Sequence, residues 1–287
     1  MSVAVVTGSN KGIGLAIVRA LCKQYSGDVY LTSRDEGRGQ EAIESLRKEG
    51  LNPKFHILDI GNEETVLKLR DFMKEKYGGI DVLVNNAGIA FKNDATDPFG
   101  HQAKVTLKTN YWANKRTCEI LFPVLKPGAR VVNMSSSCGY LGHIGAKSGD
   151  KVKAEQLRKT LAAPDLSLET LDGLMKNFVL TAEAGNHGDY GWPDSTYKVS
   201  KIGWSALSRI QQRMMESDPR EDIVINYVHP GWVDTDMTSH KGPKSPDQGA
   251  VSSLYAALLP AKTEVRGAYI WHDCQVVDWA NGPLPAQ

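Results

Sequence analysis

The sequence predicts an α/β protein: a doubly wound, seven-stranded parallel sheet of Rossmann type, with a helical insertion in its second half. Three observations carry that class. Short β-branched runs alternate with longer stretches of helical periodicity. Apolar residues continue through those runs instead of alternating, as they do in strands covered by helices on both faces. A glycine-rich turn, TGSNKGIG at 7–14, directly follows the first run.

Each element follows from its residues. VAVVT (3–7) is the first strand, and the helix after it carries Ile13, Ile17, Val18 and Leu21 on one face. DVYLTS (28–33) is the second, followed by a helix over about 35–48 that Asp35 caps. FHILDI (55–60), IDVLVNN (80–86), ARVVNMS (129–135), IVINYVHPG (223–231) and GAYIW (267–271) complete seven strands. Between ARVVNMS and a helix beginning near Ser195, some sixty residues break the rhythm. Two helices fit there, over about 151–161 and, after Pro164, about 168–184. The second sets Leu168, Leu171, Met175, Phe178, Val179 and Ala182 on one stripe and ends at Gly185. The expected organisation is one domain over 1–287, with the insertion at about 140–194.

Composition narrows the classes of partner. With 34 basic and 33 acidic residues the 287-residue chain has a net charge of +1, which gives no footprint for nucleic acid or an anionic membrane. No apolar run reaches the length of a membrane span. The start, MSVAVVTGSN, has no basic region or cleavage site and reads as a strand, not as a signal peptide. Cys22, Cys118, Cys138 and Cys274 form no C-x-x-C pair and no zinc-ligand cluster. The expectation is reduced thiols, no metal and a cytoplasmic location.

Chemistry gathers at the predicted strand ends, where such sheets bind ligands. Gly8, Gly12 and Gly14 permit a tight turn and let backbone N–H groups approach a pyrophosphate at a helix amino terminus. The second strand ends Thr32-Ser33-Arg34, with Arg38 one turn on and Asn10 and Lys11 in the glycine loop. A guanidinium suits a 2′-phosphate, so NADPH is favoured over NADH. Asp59 is placed to accept from an adenine amino group or to cap the helix beginning near Asn62. Asn85 and Asn86 end the fourth strand, where asparagines tie strands together or face a ribose. Tyr197 and Lys201, at i and i+4 of a helix, share one face. A phenol with an ordinary pKa near 10 needs a neighbouring cation to act near neutrality. Ser135, Ser136 and Ser137 end the fifth strand and offer a second hydrogen bond to a carbonyl oxygen.

Five motifs, TGSNKGIG, NNAG (85–88), NMSSSCG (133–139), YKVSK (197–201) and PGWVDT (230–235), stand in the order of the short-chain dehydrogenase/reductase family. The chain resembles that family over nearly its whole length, and within it the monomeric carbonyl reductases. The resemblance implies NADPH-dependent reduction of ketones, aldehydes and quinones. It makes Tyr197 the proton donor, while Lys201 holds the nicotinamide ribose and lowers the tyrosine pKa. Ser136, the second serine of N-x-S-S-x-x-G, would orient the carbonyl, and Asn110 in KTNYW would hold a water of the proton relay. Gly8, Asn10, Lys11, Gly12, Ile13 and Gly14 would cradle the cofactor, with Asp59, Ile60 and Asn86 beside it. Asn10, Arg34 and Arg38 match the grip on the 2′-phosphate; Val233 and Thr235 would receive the carboxamide. Phe91 and Gln102 match substrate-side residues, and Trp232 and Met237 are placed to form an apolar wall or to pack their own loop. His229 departs from the cysteine that vertebrate carbonyl reductases carry before this Pro-Gly, which argues against glutathione adducts; it reads as structural or as a pocket wall. Ser136 and Tyr197 are 61 positions apart, a spacing that implies the insertion covering the family's tetramer surface, hence a monomer. A narrower hydroxysteroid or prostaglandin dehydrogenase is the enzymatic alternative. A non-catalytic NADPH sensor is the other, against which the retained Tyr197 and Lys201 speak.

Overall fold

The structure, a computed structural model, describes residues 1–92, 94–145, 150–283 and 285. Residues 146–149 of the expected insertion lie outside the described residues. The strands are Val3–Val6 (β1), Asp28–Ser33 (β2), Lys54–Ile57 (β3), Ile80–Asn85 (β4), Leu125–Met134 (β5), Val224–Val228 (β6), Tyr269–Ile270 (β7) and Val276–Val277 (β8). They form one sheet in the order β3-β2-β1-β4-β5-β6-β7-β8. β1 to β7 run parallel, with Val6 opposite both Leu31 and Val84.

The seven expected strands are present, and an eighth was missed. β8 turns back antiparallel on β7, pairing Tyr269 with Val277 and Ile270 with Val276. Two residues carry no measurable period, and Val276 is exposed, so nothing in QVV signals a strand.

Both faces of the sheet are buried, which explains the unbroken apolar runs. Val3 and Val5 point into one core with Leu69, Leu83 and Phe178, whereas Ala4 and Val6 join Ile17, Leu21 and Leu31 in the other. Helices Gly12–Gln24 (α1), Glu36–Lys48 (α2) and Glu63–Tyr77 (α3) connect the first four strands. Phe99–Leu107 (α4) passes through a π-helical turn, Lys108–Ala113, into Asn114–Leu121 (α5). Asp35, Asn62 and Ser195 each cap a helix by accepting a backbone N–H.

The insertion folds as two helices, Lys151–Ala162 (α6) and Leu168–Glu183 (α7). α7 beds Leu171, Met175, Phe178 and Ala182 against α4 and the long helix Thr196–Glu216 (α8). Two glycines allow the close approach. A Cβ on Gly100 would stand 2.6 Å from Glu183 Cα, and one on Gly203 would stand 2.4 Å from Met175 Sδ. Pro246–Gly249 (α9) and Val251–Ala257 (α10) complete the chain's helices among the described residues. No helix there is long and apolar enough to cross a membrane. The strand order reverses between β1 and β4, which opens a crevice at their carboxyl ends.

Candidate active site

The glycine loop fills one side of that crevice. Gly8 and Gly12 take φ values of +58° and +57°, in the left-handed region that side chains disfavour. Gly14 is needed for space: its Cβ would lie 2.5 Å from Asn86 Nδ2 and 2.8 Å from the Gly8 carbonyl. Asn86 Nδ2 donates to the Thr7 and Gly8 carbonyls at 3.0 and 2.9 Å, so it holds the loop as a strap from β4. Asn85 is structural, donating to Asn133 Oδ1 at 2.8 Å across to β5. The amino terminus of α1 has no side-chain cap and no acidic residue in its first turn. Its N–H groups and dipole therefore face the crevice ready for an anion. Gly14→Ala is expected to displace Asn86, cost about 1–3 kcal/mol of stability and weaken dinucleotide binding; a thermal melt with a cofactor fluorescence titration checks both.

Past β2, Arg34 and Arg38 are exposed. Arg34 makes no ion pair among the described residues, and Arg38 has only a 3.8 Å approach to Asp35. That carboxylate is occupied by capping, as expected. Asp59 does not cap α3: Asn62 does, while Asp59 Oδ1 accepts from Gly61 N–H at 2.9 Å. Ile60 is half-buried against the core. Asn10 and Ile13 are half-buried at the loop. Lys11 reaches across to Asp236 at 2.6 Å in an exposed ion pair.

The segment after β6 folds over the start of α1. Thr235 Cγ2 lies 3.4 Å from where a Gly12 Cβ would stand, and Val233 is buried beside Ile13 at Gly249. Lys92, which the sequence did not single out, donates to Ser239 Oγ at 3.1 Å and to the Asp236 carbonyl, tying the β4 loop to this one.

The chemical group is assembled from β5 and α8. Ser195 starts α8, which puts Tyr197 in its first turn and Lys201 one turn deeper. Of the three serines, Ser136 has its hydroxyl close enough to Tyr197 to favour the phenolate. Ser135 is turned away into a buried pair with Ser205 Oγ at 2.7 Å. Lys201 is 6% exposed; its Nζ donates to the Met134 carbonyl at 2.8 Å and sits 5.7 Å from the Tyr197 ring centroid.

Electrostatics corrects one expectation. Burial pushes the Tyr197 phenol above its ordinary pKa, Cys138 pushes it further, and the Ser136 hydroxyl only partly offsets this. Burial dominates in the chain alone, so the phenol stays above its ordinary value although the Lys201 Nζ lies 5.7 Å from the ring centroid. Burial also brings Lys201 down to about 8. The sequence reads Cys138 only as a reduced thiol: it fills a variable position of NMSSSCG, and that position does not signal a place beside this pair.

Asn110 occupies the π-helical turn, an irregularity that recurs at functional sites. Its Oδ1 accepts from Ile89 N–H at 2.8 Å, and its Nδ2 donates to the Ile89 carbonyl and to Ser200 Oγ at 2.9 and 3.1 Å. Both side-chain ends thus hold protein partners, and its backbone carbonyl accepts from Asn114 Nδ2 at 3.4 Å. On the substrate side, Trp232 and Met237 stand 49% and 40% exposed. Phe91 meets His101 edge-on at 6.3 Å. Gln102 donates to the Asp97 carbonyl at 2.9 Å and so holds its own loop. His229 is buried against Trp271, ring centroids 4.2 Å apart.

Comparison with known proteins adds to this geometry. Residues 2–164 match a family model described as short chain dehydrogenase. A Rattus norvegicus protein named carbonyl reductase (NADPH) 1 is 47% identical over 278 residues, spanning 96% of this chain and 98% of the relative. Its Homo sapiens namesake is 46% identical over the same shares. Among solved structures, salutaridine reductase from Papaver somniferum superposes with a TM-score of 0.81 at 29% identity, over 96% of this chain and all of that one.

Proposed function

The chain belongs to the short-chain dehydrogenase family, and from that membership we propose that it reduces the carbonyl groups of ketones, aldehydes and quinones to alcohols with NADPH. The observation that carries this reading is identity of 46–47%, over nearly the full length of both chains, to relatives named as NADPH carbonyl reductases. The residues fit such a cofactor. The left-handed backbone of Gly8 and Gly12, the uncapped α1 and the exposed guanidiniums of Arg34 and Arg38 suit a pyrophosphate and a 2′-phosphate. NADPH bound there supplies the hydride.

The chain's own residues do the rest. Ser136 donates a hydrogen bond to the carbonyl oxygen as charge develops on it. Tyr197 gives that oxygen its proton, and a phenol raised by burial is fully protonated at neutral pH, as a donor must be. Lys201 would hold the nicotinamide ribose, and Val233 and Thr235 would receive the carboxamide. Arg34 and Arg38 grip the 2′-phosphate. Trp232 and Met237 offer apolar surface to a substrate of variable size. With charge-assisted hydrogen bonds worth about 1.5–3 kcal/mol each, Arg34→Leu or Arg38→Leu should raise the NADPH KM by about 10–100-fold and leave the NADH KM unchanged. Steady-state assays with quinone and diketone substrates against each cofactor test this. Wild-type efficiency with NADH equal to that with NADPH would contradict the guanidinium argument; no turnover of any carbonyl would overturn the reading itself.

The seating of α7 on α4 and α8 supports a monomer, and we propose one domain over residues 1–287 and a cytoplasmic location for it. Sedimentation equilibrium should return the mass of a single chain; a dimer or tetramer would refute that state.

A further inference from the structure

We propose that His229 and Tyr269 are positioning residues that clamp the peptide unit after Ser136 and so aim its hydroxyl at the substrate carbonyl. The inference rests on the reading of Ser136 as the carbonyl-orienting serine. That peptide unit is held at both of its polar atoms. The Ser136 carbonyl accepts from Tyr269 Oη at 2.6 Å, and the Ser137 N–H donates to His229 Nδ1 at 2.9 Å. Ser136 is extended, at φ −173° and ψ 159°, and its hydroxyl accepts from Cys138 N–H at 3.2 Å to cap the short turn that follows. Rotation of the clamped peptide would swing this turn and carry Oγ away from Tyr197.

Both clamping side chains are fixed from behind. Tyr269 is 1% exposed and stacks on Tyr227 with centroids 5.1 Å apart. The His229 N–H bonds the Ile270 carbonyl at 2.9 Å, its carbonyl receives Ser252 Oγ at 3.1 Å, and its ring leans on Trp271. Two backbone N–H groups approach Nδ1, from Ser137 and, at 3.4 Å, from Gly231. Nδ1 is therefore an acceptor and the proton sits on Nε2. Burial, with His272 and Lys244 nearby, pushes the pKa to about 3, so the neutral tautomer persists across the physiological range. Nε2 is buried without a hydrogen-bond partner among the described residues. An imidazole chosen for packing would carry that desolvation cost for nothing, whereas one chosen for Nδ1 holds the serine peptide. Through Gly231 the same nitrogen also touches the segment leading to Val233 and Thr235. One ring atom thus joins the group that orients the carbonyl to the loop that faces the nicotinamide.

The test compares His229→Leu, His229→Asn and Tyr269→Phe with wild type in NADPH-dependent quinone reduction. Asparagine Oδ1 can take the place of Nδ1, and leucine cannot. Misplacing a reacting group by about 1 Å costs up to about 10²-fold. His229→Leu and Tyr269→Phe should therefore lose about 10–100-fold in kcat, with the NADPH dissociation constant unchanged in Tyr269→Phe, and His229→Asn should recover most of the loss. Full kcat in folded His229→Leu or in Tyr269→Phe would overturn the clamp, as would equal losses in the asparagine and leucine variants. Tyr269→Phe removes only a hydroxyl and keeps the test open if the leucine variant fails to fold. An inactive wild type would overturn the carbonyl-reductase reading together with the clamp; an active wild type with unaffected variants would overturn the clamp alone.

Discussion

Tyr197→Phe is expected to lower kcat by about 10²–10⁴-fold, the share a positioned proton donor supplies, while NADPH still binds. The reasoning starts from the hydroxyl. Phenylalanine keeps the ring that Lys201 lies over, at 5.7 Å, and keeps the fold of α8, whose cap is Ser195. It removes the one group placed to protonate the carbonyl oxygen beside Ser136. The direction of the tyrosine shift sets the pH behaviour. An acid whose pKa is raised stays protonated through neutral and mildly alkaline pH, so reduction should not decline there through Tyr197. Steady-state kinetics of wild type and variant with a quinone, alongside cofactor fluorescence titration, check both halves. A variant that retains wild-type kcat would remove Tyr197 from the chemistry.

Much of this site is legible because its parts are local in sequence. The glycine loop, the i,i+4 pair on α8 and the Arg34–Arg38 pair each lie within one turn and its flank, so spacing carries their geometry. The insertion was equally legible: α7 shows its stripe, and Gly185 takes the left-handed conformation at its end. What stayed hidden depends on contacts between distant segments. That Ser135 turns away from Tyr197 is decided by Ser205, seventy positions on, which binds it. The role of Asn110 turns on Ile89, and that of His229 on Ser137. β8 exists only as a partner for β7. None of these pairings has a period or a motif to announce it.

Lys201→Met is expected to move activity and stability in opposite directions. Removing an electrostatic donor from an active site typically costs about 10²–10³-fold, and kcat/KM should fall by that amount. Stability should rise, for a reason internal to the chain. Lys201 is almost fully buried, with the Met134 carbonyl as its close partner, and burial takes its pKa from 10.5 to about 8, partly offset by Cys138. Between those two values the unfolded chain binds more protons than the folded one, so this group makes the fold more stable as pH rises from 8 toward 10.5. Below pH 8 its full penalty, about 3 kcal/mol, is present. Methionine has a similar length and no charge. Allowing for the lost hydrogen bond, the variant should gain about 1–2 kcal/mol at pH 7. The gain should shrink as pH climbs through the window, since neutral lysine no longer pays for its burial. Denaturant melts of both proteins at pH 7, 8.5 and 10 measure this. A variant less stable than wild type at pH 7, or an offset that ignores pH, would show that Lys201 is held in the site at no cost to the fold.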